Sequence, residues 1–433
     1  MTTTDNSRPE DRRKAILVGL DTGDSNDFIH SMEELTELSK ALFLEPVETI
    51  IQILEHPIAA TYIGTGKVSE VAAEAAFHEA AYVIFNGTLS PSQLKNLQNE
   101  IDASVMDRTG LILEIFSQRA NTREARLQVE SARLQYMLPR LVGMRASLSR
   151  QGGGSGALSN KGSGEKQIDL DRRHIQKRIS ELRRELDLIE HDRGIQRKRR
   201  EKSTLPLVAL VGYTNAGKST VMNGLLNLSD YDSTDLLAEK QVESKDMLFA
   251  TLDTTVRKIS TENHRDFLLS DTVGFIDNLP HTLVKAFRST LDEIKYADLL
   301  LEVVDYSDPH YLDQMQVTRD TLREIGAANI PVIHVMNKCD KTELNDFPKI
   351  KEDSIYITAL DNDNMTELLA LIMDSLYQSN RTIDFMFPYS EGAAVSDLNE
   401  NARIFSQEYE ADGIHISADC PAHLVGKYSA YII

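Results

Sequence analysis

The segment Gly212-Tyr213-Thr214-Asn215-Ala216-Gly217-Lys218-Ser219 constrains this chain more than any other. It follows the apolar run LPLVALV and precedes the helical pattern VMNGLL, so it reads as a tight loop between a buried strand and a helix. Gly212 and Gly217 allow the backbone to curl until successive N–H groups point inward, the geometry that cradles phosphate oxygens. Lys218 adds a cation for the β- and γ-phosphates, and the helix N-terminus adds its dipole. Ser219, followed by Thr220, offers a hydroxyl to Mg²⁺. A glycine-rich turn without a ligand is the bland alternative, and the rest of the chain argues against it.

Three further motifs follow in order, each after an apolar strand. Asp271-Thr272-Val273-Gly274 comes after DFLLS. It supplies a carboxylate to hold Mg²⁺ through water and a glycine whose N–H approaches the γ-phosphate. Asn337-Lys338-Cys339-Asp340 ends the run PVIHVM. The Asp340 carboxylate accepts two hydrogen bonds from guanine N1–H and the N2 amino group, a donor pair that adenine lacks. Thr358-Ala359-Leu360 follows SIYI, where a backbone N–H meets the guanine O6. Any one of these is weak. Together they imply an α/β domain that binds and hydrolyses GTP, built on a mostly parallel, doubly wound sheet. Gly64-Thr65-Gly66-Lys67 imitates the end of such a loop, but Thr61 stands in the place of the first glycine and Val68 in that of the hydroxyl. It reads as a turn before a helix.

Four stretches are expected around these motifs. Residues 1–116 alternate short apolar runs with helical patterns, a small α/β domain. Residues 117–203 read as a long antiparallel helical hairpin. Leu127, Leu134 and Leu141 recur every seven residues in its first arm, where Pro139 should kink or interrupt the helix. Ile168, Ile175, Ile179, Leu182, Leu186 and Ile189 make one apolar stripe on the second arm. The glycine-rich tip between them, 151–165, cannot hold regular structure unaided. Residues 204–378 hold the motifs. Residues 379–433 read as a small α+β domain with a hairpin around Asp412-Gly413. The net charge is −20, yet residues 131–202 carry 18 Lys/Arg against 9 Asp/Glu, a net of +9 that leaves −29 on the remainder. A basic arm on an acidic body differs from an acidic protein. Two cysteines, Cys339 and Cys420, without a CxxC pair argue against a disulfide framework or a structural zinc site. The polar start MTTTDNSRPEDRRK is not expected to act as a secretory leader, and no apolar run reaches the roughly 18 residues of a membrane span. A reducing cytoplasm is the expected compartment, with peripheral membrane attachment as the variant, and a monomer the expected state.

The segments VGYTNAGKST, Phe249-Ala250-Thr251-Leu252-Asp253 and DTVGFI resemble the HflX family of ribosome-associated GTPases. So do the upstream motifs ARLQVESARLQYMLPRL, KGSGEKQID, LSPSQLKNL and DRTGLILEIFSQRA, which generic GTPases lack. The resemblance covers nearly the whole chain. Lys161-Gly-Ser-Gly-Glu165 stands where the family usually has Arg-Gly-Pro-Gly-Glu, which loosens the tip, and Thr358 stands for the usual Ser.

The resemblance implies a factor that binds the large ribosomal subunit and its RNA, places the hairpin tip near the peptidyl-transferase centre, and splits stalled or idle ribosomes under stress. It also implies Thr251 as the residue that closes onto Mg²⁺ in the GTP state, with Thr254 and Thr255 as competitors. Asn215 matches the asparagine that helps hold K⁺ in potassium-activated relatives; a turn-favouring Asn is the alternative. After Gly274, where a water-orienting glutamine is common, stands Phe275, so unaided hydrolysis should be slow. Arg172, Arg173, Lys177, Arg178, Arg183 and Arg184 crowd the second arm and are candidates for ribosomal phosphates. Two other classes stay open: a GTP-gated RNA-remodelling or assembly factor, and separate ATP use by the N-terminal domain, for which no phosphate-binding motif is found.

Overall fold

The computed structural model describes residues 13–23, 25–150, 161–200, 205–229, 248–249, 255–261, 266–276, 292–344, 346–377, 381–420 and 422–433. These form two compact units. The first holds the described residues up to Asp192 together with Leu248 and Phe249; the second holds the others.

The first unit opens with β1 (Arg13–Asp21), whose run Ala15–Leu20 is buried on both faces. A strand covered on both sides reads as a continuous apolar run, the mark of a parallel sheet with helices over it. With β2 (Leu44–Ile53), β3 (Tyr82–Phe85) and β4 (Ser104–Asp107) it makes a four-stranded sheet, order β2-β1-β3-β4, parallel throughout. The crossovers are α1 (Ser25–Ala41), α2 (Thr65–Phe77) and α3 (Pro91–Glu100). Gly64-Thr65-Gly66-Lys67 begins α2, as expected of a turn before a helix. Asp107 ends β4 and caps α4 (Arg108–Arg119) by accepting from the Gly110 N–H at 2.8 Å.

The same buried carboxylate accepts from the Tyr136 hydroxyl at 2.6 Å and from Arg140 Nη2 at 2.8 Å, so it also fastens α5 (Arg123–Arg150). Burial and the adjacent Asp107 push the Tyr136 phenol far above its ordinary pKa. Pro139, expected to kink or interrupt this arm, lies inside a helix that is not interrupted. Losing one N–H and crowding a carbonyl costs about 3 kcal/mol in an isolated helix. Here the residues flanking the proline, Tyr136 and Arg140, are both fixed to Asp107, and the Arg140 guanidinium lies 3.3 Å over the Tyr136 ring.

The second arm, α6 (Lys161–Arg200), starts within the glycine-rich stretch; residues 151–160 fall outside the described residues. Arg123 pairs with Glu185 at 3.0 Å, and Glu130, seven residues further on, pairs with Arg178, seven residues back. That register makes the arms antiparallel. Ile179 and Leu182 of the expected stripe are buried, and Ile175, Leu186 and Ile189 half-buried. The opposite face carries the charge.

The second unit contains a seven-stranded sheet, order β10-β11-β9-β8-β5-β7-β6. Its strands are β5 (Leu207–Val211), β6 (Thr255–Ile259), β7 (Phe267–Asp271), β8 (Leu299–Asp305), β9 (Val332–Asn337), β10 (Lys349–Lys351) and β11 (Ser354–Tyr356). Only the outer pairs β6–β7 and β10–β11 are antiparallel. The helices α7 (Lys218–Leu228), α8 (Tyr311–Ile325) and α9 (Asn362–Tyr377) belong to the same region. Val208, Leu210, Leu269, Leu301, Val303 and Val335 of four neighbouring strands meet Val221 and Leu225 of α7 in the core. Each such side chain contributes about 1.5–3 kcal/mol when fully buried. This is the expected doubly wound arrangement.

The C-terminal residues form a sheet of order β12-β14-β13 from β12 (Arg381–Phe387), β13 (Arg403–Glu410) and β14 (Gly413–Cys420), with α10 (Gly392–Asn401) and α11 (Ala422–Lys427). The hairpin falls one residue earlier than expected: Glu410 pairs with Gly413, leaving Ala411 and Asp412 as the turn. A Cβ on Gly413 would meet the Phe387 carbonyl oxygen at 2.3 Å, so this glycine permits strand contact rather than the turn itself. No helix among the described residues is long and apolar enough to cross a membrane.

Candidate nucleotide-binding site

Every motif of the second unit lies at the carboxyl end of a strand: Gly212 after β5, Asp271 ending β7, Asn337 ending β9 and Thr358 just past β11. Parallel strands with helical crossovers gather their C-terminal loops on one edge, where ligands of α/β sheets bind.

The phosphate loop is fixed by backbone conformation. Gly212 has φ +136° and Gly217 φ +100°. Asn215 has φ +60°, left-handed backbone that asparagine tolerates, and its side chain is exposed. Phe275 N–H donates to the Gly212 carbonyl at 3.1 Å, and Thr214 N–H donates to the Phe275 carbonyl at 2.8 Å. These bonds lace the loop to the end of the Asp271–Gly274 motif. Gly274 leaves no space for a side chain: a Cβ there would lie 2.9 Å from both Lys218 Nζ and Thr214 Cα. The Thr272 hydroxyl donates to the Leu210 carbonyl at 2.6 Å, and Tyr213, Ala216 and Val273 are buried. Thr220, in the first turn of α7, is half-buried.

The Ser219 hydroxyl donates to Asp271 Oδ2 at 3.0 Å, with Asp271 wholly buried. A hydroxyl beside a carboxylate is a pair of hard oxygen donors, which fits Mg²⁺, an ion that keeps several waters and takes one or two protein oxygens. Lys218 is buried and donates to the carbonyls of Gly212 (3.0 Å) and Tyr213 (2.7 Å). Burial lowers its pKa to about 8, with Lys338 adding to the fall and Asp271 opposing it.

A phosphate replacing those carbonyls favours the charged ammonium. Between pH 8 and the unfolded value of 10.5, the folded protein holds fewer protons than the unfolded chain, so the cost of burying Lys218 is relieved as pH rises through that window. Nucleotide binding has the opposite sign: it takes up a proton and weakens above pH 8. Calorimetry of GDP binding at pH 8 in two buffers of different ionisation enthalpy should report roughly half a proton taken up. No uptake would mean that Lys218 is already fully charged.

The base-recognition motif is joined to the phosphate loop. Asn337 Nδ2 donates to the Ala216 carbonyl at 2.9 Å, while its Oδ1 accepts from Ala359 N–H at 3.0 Å. One side chain therefore ties three motifs together. Lys338 Nζ donates to the Asn215 carbonyl at 2.8 Å and to Asp305 Oδ2 at 2.7 Å. Cys339 is buried, its thiol donating to the Met336 carbonyl and its pKa pushed up by burial to about 11, so its side chain serves packing. Asp340 and Leu360 face solvent. Thr358 N–H donates to Asn364 Oδ1 at 3.2 Å.

Two residues of this network were not apparent from the sequence. Asp305 closes the run LLLEVVD, a polar end to an apolar strand, and that is the only signal it gives. Asn364 gives none. Of the Phe249–Asp253 segment, Phe249 is described. It is 2% exposed in the first unit, its ring edge-to-face with Phe116 at 4.6 Å. Ala250, Thr251, Leu252 and Asp253, with the competitors Thr254 and Thr255, divide differently: Thr255 begins β6, and the others lie outside the described residues.

Comparison with known proteins agrees with this geometry. Residues 29–117 match a family described as GTP-binding GTPase N-terminal, residues 119–200 the GTP-binding GTPase Middle Region, and residues 207–338 a family described as 50S ribosome-binding GTPase. The GTPase HflX of Caldanaerobacter subterraneus subsp. tengcongensis is 39% identical over 98% of this chain and 94% of its own length. That of Lacrimispora saccharolytica is 40% identical over 96% and 95%. Among solved structures, a GTP-binding protein from the archaeon Sulfolobus solfataricus in complex with GDP is 25% identical, covering 84% of this chain and 98% of that one at a TM-score of 0.43. Identity at this level along almost the entire length, with the three regions matched in order, places the chain in the HflX family of GTPases.

Proposed function

We propose that this GTPase binds the large ribosomal subunit and uses its nucleotide cycle to separate stalled or idle ribosomes under stress. The observation that carries the reading is a basic, solvent-facing helix in the same chain as a GTPase domain. Arg172, Arg173, Lys177, Arg183 and Arg184 are all exposed on α6 while Ile179 and Leu182 of its apolar stripe are buried. The description 50S ribosome-binding GTPase attached to the family matching residues 207–338 points to the same partner. Arg178 is set apart from its neighbours: its Nε and Nη2 donate to the two oxygens of Glu130 at 2.8 and 3.0 Å, so it staples the hairpin.

In the nucleotide site, Lys218 neutralises the β- and γ-phosphates, Asp340 selects guanine, and the Gly274 N–H meets the γ-phosphate. Mg²⁺, when held by Ser219 and Thr251 and, through water, by Asp271, would supply charge neutralisation of the phosphates. Asn215, exposed on the loop, is the candidate contact for K⁺. The protein acts in the cytoplasm as a monomer.

The basic helix sets the test. Each cation that meets an RNA phosphate releases counterions, so Arg183→Gln with Arg184→Gln should lower the slope of log affinity against log salt by about 1–2 and weaken ribosome binding roughly tenfold. GDP affinity should stay unchanged. Deleting Gly152 to Gly164 leaves those cations in place, so binding persists while splitting fails. Pelleting across a salt series, with a subunit-splitting assay on the deletion, reads both. Wild-type binding and splitting by both variants would return the hairpin to a structural role, and binding without splitting by the wild type would favour an assembly or remodelling factor.

A further inference from the structure

Outside the nucleotide site, one group of side chains has the composition and register of a metal site. Glu408 and Glu410 lie two residues apart on β13, so they share a face of the C-terminal sheet. His415 on β14 is the direct cross-strand partner of Glu408, on that same face. The partner of Glu410 is Gly413, which has no side chain and leaves the carboxylate space to lean toward His415. One imidazole nitrogen and one oxygen from each carboxylate lie within 4.8 Å of one another. Among the described residues, none of the three side chains forms a hydrogen bond or ion pair. Two carboxylates and an imidazole thus converge without a countercharge.

We infer that Glu408, Glu410 and His415 form a surface site for a divalent transition-metal ion of the zinc class, separate from the Mg²⁺ of the nucleotide site. Bonds of about 2.0–2.2 Å in a tetrahedral arrangement place donors about 3.4 Å apart. The three donors therefore close by small rotations of the two exposed carboxylates toward the half-buried His415, with water completing the shell. One imidazole with two carboxylates suits Zn²⁺ or Co²⁺, whereas Mg²⁺ takes oxygen donors. The platform is held in advance. The Tyr389 hydroxyl donates to the Glu410 carbonyl at 2.6 Å, and the close approach of Gly413 to Phe387 fastens the other strand to β12. A bound ion cross-links β13 to β14 beside their turn.

The test uses the full chain with GDP and excess Mg²⁺, so that the nucleotide site is already filled. Co²⁺ titration followed by its visible ligand-field absorption, and Zn²⁺ titration by calorimetry, should give one site per chain. His415→Gln, Glu408→Gln and Glu410→Gln should each weaken it by at least about 10–100-fold, the loss that removing even an outer-shell partner of a metal causes. GDP affinity should not change. His191→Gln, on the exposed surface of α6, controls for other histidines and should bind as wild type. The inference is overturned if the wild type shows no ligand-field band up to millimolar Co²⁺, or if the His415 and Glu408 variants bind as well as it does. The carboxylates are exposed, so their Gln variants fold, and circular dichroism checks this.

Discussion

Large ribosomal subunits should raise GTP turnover by this protein on the order of 10³-fold or more, the range of partner-assisted GTPases. Position 275 is the reason. The Phe275 ring is 3% exposed and has no group to orient a nucleophilic water. Its N–H and carbonyl are spent on Gly212 and Thr214. Neither ring nor backbone at this position is placed to assist, and the proposed ribosomal partner is expected to supply what is missing, worth about 4 kcal/mol of barrier for a thousandfold gain. Single-turnover hydrolysis with and without purified subunits measures the effect. Turnover that is already fast alone, or that ignores the subunits, removes both this argument and the proposed partner.

Replacing one glycine should be nearly as damaging. A Cβ on Gly212 would sit 2.2 Å from the Val303 carbonyl oxygen, a backbone atom in the central strand β8 that cannot swing aside. The φ of +136° adds strain for any L side chain. Gly212→Ala should therefore displace the phosphate loop, weaken GDP binding by at least about 100-fold, and destabilise the fold by about 3 kcal/mol. Gly326→Ala is the control. Gly326 also has positive φ, +79°, but nothing lies within 4 Å of its Cβ position, so only backbone strain remains, about 1–2 kcal/mol. Calorimetric GDP titration and thermal melts of both variants separate the effects. Normal binding by Gly212→Ala would show that the loop relaxes where the packing says it cannot.

Both predictions start from positions visible in the sequence, yet each acquires its force only in three dimensions. The identity of Phe275 says that a glutamine is missing; its burial and its two backbone bonds say that position 275 itself cannot orient the water. Gly212 is recognisable by spacing, but its collision partner Val303 is 91 residues away along the chain. Pro139 shows the reverse case: local propensity calls for a kink or an interruption, and α5 runs through it without interruption, with Tyr136 and Arg140 anchored to Asp107.

By itself the sequence determined the class of fold and the chemistry of the nucleotide site. Apolar runs set the strands, and four ordered motifs, each after a strand, mark a GTPase domain. Such motifs are local because turn geometry and hydrogen-bonding groups are properties of a few adjacent residues. Tertiary structure alone decided which side chains join those motifs. Asn337 bridges Ala216 to Ala359 because β5, β9 and β11 end on one edge of the sheet, and Asp305 holds Lys338 because β8 and β9 are adjacent. Arg178 looks like its five cationic neighbours until the register of α5 against α6 gives it Glu130. The same holds for Glu408 and His415, brought face to face by one hairpin register. The physical reason is common to all of them: pairing across strands and helices depends on register, and register is fixed by burying the whole apolar face at once rather than by any residue's own propensity.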